Sequence, residues 1–334
     1  MRIAILGGGF AGLATAWHLL QLQLHCEIVL FDPAGIGGGS SGIAAGLVHP
    51  YAGAHAKLNR LGHEGVAASL RLLNDSSAFA KSLSDQPVYL QNGFLRVAVS
   101  AEQEACYQTS SIKYPNDITW LSAEETAAKF SGILAKPSIY IKSAIEVNTP
   151  LYLKGLWLSC EKKGAVFTRQ AIKDLDQLSD FDVTIIAAGG SCKQFSELDH
   201  LSLYYTKGQV LELEWPEGLP QMPFPINSHV YLVMKPDGKS CIVGATYEKE
   251  YADADSDLKV AVAEILPRAI ELIPELAGSK VLACYSGIRV STPDHMPLVK
   301  QFAKNRWVIT GFGSKGLLYH ALYAERLARA IMLC

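Results

Sequence analysis

The chain opens with MRIAILGGGFAGLATAWHLL, residues 1–20. A short apolar run, Ile3 to Leu6, breaks into Gly7-Gly8-Gly9, and Gly12 follows before a stretch of Ala, Leu and Trp. Strand, glycine turn and helix in this order make the first βα unit of a dinucleotide-binding domain. In the spacing Gly7-x-Gly9-x-x-Gly12, the first glycine permits the turn and the second lets a pyrophosphate approach the backbone. The third lets helix and strand pack closely. The helix, predicted over 11–22, turns free N–H groups and the positive end of its dipole toward that phosphate. A second strand, EIVLFDP, ends in Asp32, where an acid is expected to hold a ribose hydroxyl.

A chain of 334 residues is long enough for two domains, and 49% hydrophobic with 19% charged residues is an ordinary globular balance. The net charge of −2 argues against a strongly basic nucleic-acid clamp, and no Arg/Lys stripe is visible. Seven cysteines are scattered without a CxxC, which predicts reduced thiols and a cytoplasmic protein. No pair of histidines has metal spacing, so no metal is expected. The glycine turn interrupts the first apolar stretch, so it does not read as a signal peptide. The late segment LLYHALYAERLARAIMLC carries Glu325, Arg326 and Arg329, which makes it an amphipathic helix and not a membrane span.

Further along, NRLGHEGVAASLRLL (59–73) reads as a helix, and QPVYLQNGFLRVAVS (86–100) as a hairpin around Asn92-Gly93. Ser122-x-x-Glu125 is a capping box, and Asn148-Thr149-Pro150 opens another helix. DVTIIAAGG is continuously apolar, as a parallel strand buried on both faces requires. Segments 203–247 turn to antiparallel strands with a Pro-Asp-Gly turn, and Pro267 is expected to kink or interrupt a helix over 256–276. The simplest architecture is a discontinuous nucleotide-binding domain (1–80, 142–198 and 281–334) carrying an inserted antiparallel domain (81–141 and 199–280).

The last strand, RWVITG, runs into a second glycine turn, Gly311-Phe312-Gly313-Ser314-Lys315-Gly316, and a long helix. A second open helix N-terminus suits the negative charge of a reduced isoalloxazine ring, which favours a flavin over a nicotinamide. Between the two turns, GIGGGSSGIAAGLVHPY (35–51) is rich enough in glycine to hold backbone against a ligand.

With four separated motifs, the sequence resembles the FAD-dependent D-amino acid oxidase and glycine oxidase family over nearly its whole length. GGGFAGLATAWHLL with FDP resembles the adenylate end. GIAAGLVHPY (42–51) resembles the loop along the flavin, and IIAAGG (185–190) a second flavin-contacting strand end. GIRVSTPDHMPLV (287–299) with GFGSKGL resembles the C-terminal pair. That pair is most similar to the oxidase domain of the bifunctional enzymes that complete 5-methylaminomethyl-2-thiouridine in tRNA. No segment resembles their methyltransferase half. The resemblance implies an α/β fold: a Rossmann-like FAD-binding domain of the glutathione reductase type, with an inserted antiparallel α+β substrate domain.

It also implies the site. The cofactor-binding positions are Gly7, Gly9, Phe10, Ala11, Gly12, Asp32, Ser40, Ser41, Ala45, Gly46, Leu47, Ile172, Ala188, Gly189, Gly287, Arg289, Gly313, Ser314, Lys315, Gly316 and Leu317. Sarcosine oxidase-type members carry a flavin-linked Cys six residues before the Pro of Thr-Pro-Asp, where this chain has Gly287; non-covalent FAD is expected. Arg289 matches an Arg that grips a substrate carboxylate, a bidentate task suited to a guanidinium. Tyr231 matches a substrate-facing Tyr. His49 and Tyr51 follow the flavin loop, and Lys315 sits where its charge favours reduced flavin. Asp294 and His295, between Pro293 and Pro297, are expected to order a turn instead of acting as an acid–base pair.

The implied reaction is hydride transfer from a glycine-like amine to flavin N5, imine hydrolysis, and reoxidation by O2 to H2O2. The carboxymethylaminomethyl group of a tRNA wobble uridine and a free small amino acid (glycine, sarcosine, a D-amino acid) both fit. A flavin dehydrogenase serving a protein or quinone acceptor and a non-catalytic FAD-binding subunit remain open at this stage, as does the oligomeric state.

Overall fold

The computed structural model describes residues 1–22 and 26–333. Its first sheet has six strands in the order Leu298–Ala303, Arg306–Thr310, Val183–Ile186, Arg2–Leu6, Glu27–Phe31 and Val166–Thr168. The last five run parallel, and Leu298–Ala303 is antiparallel at one edge. Alternate residues of the central strands go to opposite cores, as the pleat dictates. Ile3, Ile5, Ile28, Leu30 and Ile185 meet the helices Phe10–Gln21, Gly62–Ala80, Thr149–Lys162 and Gly316–Met332. Ala4, Leu6, Phe31 and Ile186 meet Ile172, Leu175, Leu178 and Phe195 on the other side. The apolar runs seen in the sequence are apolar because both faces are covered.

A second sheet has eight strands: Val281–Ser291, Tyr204–Glu214, Ser240–Gly244, Tyr231–Met234, Ile226–Asn227, Phe94–Val97, Ser138–Ile141 and Ile118–Leu121. Only the Ile226–Asn227 and Phe94–Val97 pair is parallel. One face, with Leu95, Leu211, Leu213, Leu232 and Val243, packs on the helix Leu258–Ile270. On the other face, Phe94, Ile118, Ile139 and Ile141 lie beneath Tyr51, Ala56 and Tyr107 at one end. A small antiparallel sheet of Leu47–Val48, Ile145–Val147 and Tyr89–Leu90 joins the two parts.

Several expectations change. The 86–100 segment is no hairpin: Tyr89–Leu90 pairs with Ile145–Val147, and Phe94–Val97 pairs within the large sheet. The Asn92 amide donates to Glu146 Oε2 at 2.7 Å and Tyr140 Oη donates to the Asn92 carbonyl, so Asn92-Gly93 passes the chain between sheets. Pro267 does not end its helix, which starts under the Asp257 side chain and runs on to Ile270. The 59–73 helix is longer than expected, Gly62–Ala80. Segment 281–291, expected with the nucleotide-binding part, pairs along its length with Tyr204–Glu214 in the large sheet.

Candidate active site

At the first glycine turn, Gly7 has φ +120°, and a Cβ there would lie 2.3 Å from the Ala187 carbonyl oxygen. A Cβ on Gly12 would lie 1.9 Å from the Gly7 carbonyl oxygen, so helix and strand touch backbone to backbone. Gly9 faces the Ser41 hydroxyl, which accepts the Phe10 N–H at 3.1 Å. Asp32 accepts the N–H groups of Gly8 and Ala34, both at 2.8 Å, which brings its carboxylate to the turn. Ile172 is buried in the apolar cluster on one side of the parallel sheet, and Ala188 packs against that cluster. Phe10 and Leu317 are brought to the turns by their backbones, since both side chains are in the core.

The helix termini test whether this cradle fits a dinucleotide. Helices Ala101–Lys113, Ala123–Lys129, Thr149–Lys162 and Leu258–Ile270 are capped by the side chains of Ser100, Ser122, Asn148 and Asp257. The two helices that follow glycine turns, Phe10–Gln21 and Gly316–Met332, have no cap from their own N-cap side chain and no acid in the first turn, and at the first of them Ser41 Oγ takes the Phe10 N–H. Their positive ends are left for an anion, as FAD requires. The two turns adjoin, for a Cβ on Gly316 would lie 3.4 Å from the Phe10 ring. Gly313 has φ +52°, and Ser314 next to it is exposed.

Ser40, Ser41, Ala45, Gly46 and Leu47 run between these turns and the large sheet. Gly46 (φ +80°) presses on the Val147 carbonyl, which a Cβ would approach to 2.0 Å. Ser40 Oγ donates to the Ile288 carbonyl at 2.9 Å, and a Cβ on Gly287 would lie 2.6 Å from Ser40 Oγ. Lys315 Nζ donates to the His295 carbonyl at 3.3 Å and lies 5.8 Å from the Tyr319 ring centre. Burial lowers its pKa, and Asp294 partly offsets this. Asp294 orders the turn as expected, accepting from Thr292 Oγ1 at 3.0 Å and the Met296 N–H at 3.2 Å.

On the face of the large sheet away from the helix Leu258–Ile270, cross-strand register aligns Arg96, Asn227, Tyr231 and Gly244 in one row. Arg289 lies two strands beyond Tyr231's neighbour, opposite Thr206, and its guanidinium donates to the Thr246 carbonyl at 3.3 Å. Among the described residues no carboxylate pairs with it. Burial raises the Tyr231 phenol to about 12 while nearby Arg289 pulls it back. The phenol is therefore a hydrogen-bond donor at neutral pH. The His49 ring packs on Phe94, centroids 5.0 Å apart, and burial with the Arg96 charge lowers its pKa to about 3. The ring is therefore neutral at pH 7.

Arg96 went unseen in the sequence. It is 6% exposed, and its guanidinium donates to the Tyr51 and Gly53 carbonyls at 3.0 and 2.8 Å. Its Nε and His49 Nδ1 are buried without partners. The Asn59 amide ties the Pro50 and Ala52 carbonyls, both at 2.9 Å, so four consecutive carbonyls of the covering loop are held. The available signal was a lone Arg inside the apolar run FLRVAV. Among the described residues no cluster of three or more His, Cys, Asp or Glu is placed to hold a metal. No helix there is long and apolar enough to cross a membrane.

Comparison with known proteins agrees with this geometry. The family model described as FAD dependent oxidoreductase (DAO) matches residues 2–330. The tRNA 5-methylaminomethyl-2-thiouridine biosynthesis bifunctional protein MnmC of Methylobacillus flagellatus is 25% identical over 99% of this chain, which spans 56% of that protein. Glycine oxidase of Bacillus licheniformis is 23% identical over 98% of this chain and 92% of its own. The crystal structure of glycine oxidase from Geobacillus kaustophilus superposes with a TM-score of 0.84 at 20% identity, covering 99% of this chain and 95% of that one. The chain belongs to the DAO family of FAD dependent oxidoreductases.

Proposed function

We propose that this protein oxidises the C–N bond of a glycine-like amine, an N–C–COO⁻ unit, and that Arg289 anchors the carboxylate. The observation that carries this reading is a guanidinium on the same sheet face as Tyr231, with one carbonyl contact and no acid partner among the described residues. Glycine turns at Gly7–Gly12 and Gly311–Gly316 would hold FAD at its pyrophosphate and ring ends, with Ser40, Ser41 and Ala45 to Leu47 between.

FAD held there would supply the hydride acceptor for oxidation of the C–N bond to an imine that water hydrolyses, with O2 as the final acceptor, reduced to H2O2. The chain's own part is placement. Arg289 fixes the carboxylate end, Tyr231 donates a hydrogen bond to it, and the neutral His49 closes the wall without adding charge. Clamped carbonyls at 50–53 hold the covering loop down, which limits water. Placement of this kind supplies much of a rate enhancement when the substrate brings its own nitrogen lone pair.

Within this chemistry the candidate substrate is the carboxymethylaminomethyl group of a tRNA wobble uridine. It is supported by the Arg289, Asp294-His295 and Gly313-Ser314-Lys315-Gly316-Leu317 motifs and by the MnmC relatives. Full-length coverage of a glycine oxidase and a net charge of −2 favour the second reading, a free small amino acid. Six unpaired cysteines among the described residues support a cytoplasmic setting. Anaerobic bleaching of the flavin by glycine, sarcosine, D-alanine, or tRNA with and without the modification separates the two. Bleaching by a small amino acid removes the tRNA reading, and bleaching by the modified tRNA alone removes the other.

A further inference from the structure

The strand Tyr204–Glu214 carries Gly208 near its middle. Glycine weakens a strand interior and marks a place where something approaches the backbone closely. A Cβ built on Gly208 would lie 2.4 Å from each terminal nitrogen of Arg289 and 2.5 Å from the carbon between them. Gly208 faces Gly287 on the neighbouring strand, and Arg289 faces Thr206, so the guanidinium folds back diagonally over bare backbone.

The far side of the guanidinium's seat is fixed. Thr246, whose carbonyl accepts from Arg289, is fully buried. Its hydroxyl accepts the Gln209 N–H at 2.9 Å and donates to Glu248 at 2.5 Å. The same device recurs one strand pair away: a Cβ on Gly244 would lie 2.9 Å from the Tyr231 phenol oxygen. Arg289 and Tyr231 both rest on glycines.

We propose that Gly208 is a specificity-determining position of this enzyme. Its missing side chain lets Arg289 lie flat on the sheet, and this sets the depth at which a carboxylate is held. The inference rests on the reading of Arg289 as the carboxylate anchor. Alanine is compatible with an extended strand, and the atoms its methyl meets first are the free end of a flexible side chain. The fold therefore accepts Gly208→Ala, and the guanidinium yields by lifting off the Thr246 carbonyl into the space meant for substrate.

The test uses the FAD-loaded protein and glycolate, which keeps the carboxylate of glycine and replaces its oxidisable amine with a hydroxyl. Glycolate affinity is read from the flavin absorbance change in the unsubstituted protein, Gly208→Ala, Arg289→Gln and the double variant. FAD content and melting temperature are measured alongside. Expected are FAD content and melting like the unsubstituted protein for Gly208→Ala, with glycolate bound about tenfold or more weakly. The double variant should bind no more weakly than Arg289→Gln alone.

Glycolate binding by Gly208→Ala at the unsubstituted affinity overturns the inference while Arg289→Gln still loses it. Losses that add in full overturn it too, because the two positions then act separately. So does a Gly208→Ala protein that cannot fold or hold FAD and is not relieved by Arg289→Gln in the same chain. If Arg289→Gln binds glycolate as tightly as the unsubstituted protein, or the unsubstituted protein binds none, the anchor reading itself falls, and this inference with it.

Discussion

Ser40 and Ile288, 248 residues apart in the chain, are joined by a 2.9 Å hydrogen bond from the serine hydroxyl to the isoleucine carbonyl. The bond fastens the glycine-rich loop to the strand that carries Arg289, with Gly287 pressed against Ser40 at the crossing. A methyl at 287 would come within 3.0 Å of the Ser40 backbone, which yields less easily than a side chain. Gly287→Ala is therefore expected to weaken FAD retention about tenfold or more. Equilibrium FAD titration of the apoprotein checks this, and an unchanged affinity would falsify it. Acid precipitation of the natural protein should leave the yellow colour in the supernatant, as non-covalent FAD requires.

Arg289→Gln should retain FAD and lose substrate affinity. A bidentate charge-assisted contact contributes about 1.5–3 kcal/mol per hydrogen bond, so kcat/KM should fall roughly ten- to a hundredfold or more. Steady-state kinetics with FAD content measured in parallel decide it. Unaltered turnover would mean that the guanidinium does not touch the substrate.

Removing the buried charge of Arg96 with Met keeps the volume and frees two carbonyls of the covering loop. The expected loss of stability is about 1–3 kcal/mol, with faster proteolysis confined to 50–57. Digestion at the natural rate would show that Asn59 alone holds the loop.

His18 and His320 are buried as neutral rings, and burial lowers both pKa values from 6.5 to about 4. The unfolded chain then binds more protons than the folded one between these values. Stability is complete above pH 6.5 and falls as pH drops toward 4. Each ring costs up to about 2 kcal/mol at pH 5. Melting temperatures between pH 7 and 4.5 should drop steeply, and His18→Gln should flatten the curve. A parallel curve would place the acid sensitivity elsewhere.

What could be read in advance follows the range of the interaction. Gly7, Gly9 and Gly12 answer to a turn a few residues long, and Ser122 with Glu125 close a capping box within one helical turn. The Asp294 turn is equally local. Asn92-Gly93 carries the local signature of a hairpin, but its amide is taken by Glu146, 54 residues on, and no short window contains that partner. Arg96 and Gly208 were invisible for the same reason. Their meaning lies in what crosses above them, the 51–53 carbonyls and the Arg289 guanidinium.

The pleat of Val281–Ser291 leaves one further mark. Arg289 and Gly287 share the sheet face of Tyr231, while Val290 between Arg289 and Ser291 is buried. One inserted or deleted residue in this strand would turn the guanidinium into the apolar layer and an aliphatic side chain into the cleft. Point substitution stays open to descendants of this enzyme as they drift toward new amines, whereas length change within the strand is closed to them. New specificity by insertion must therefore arise in the connecting loops, where an extra residue shifts no one's facing.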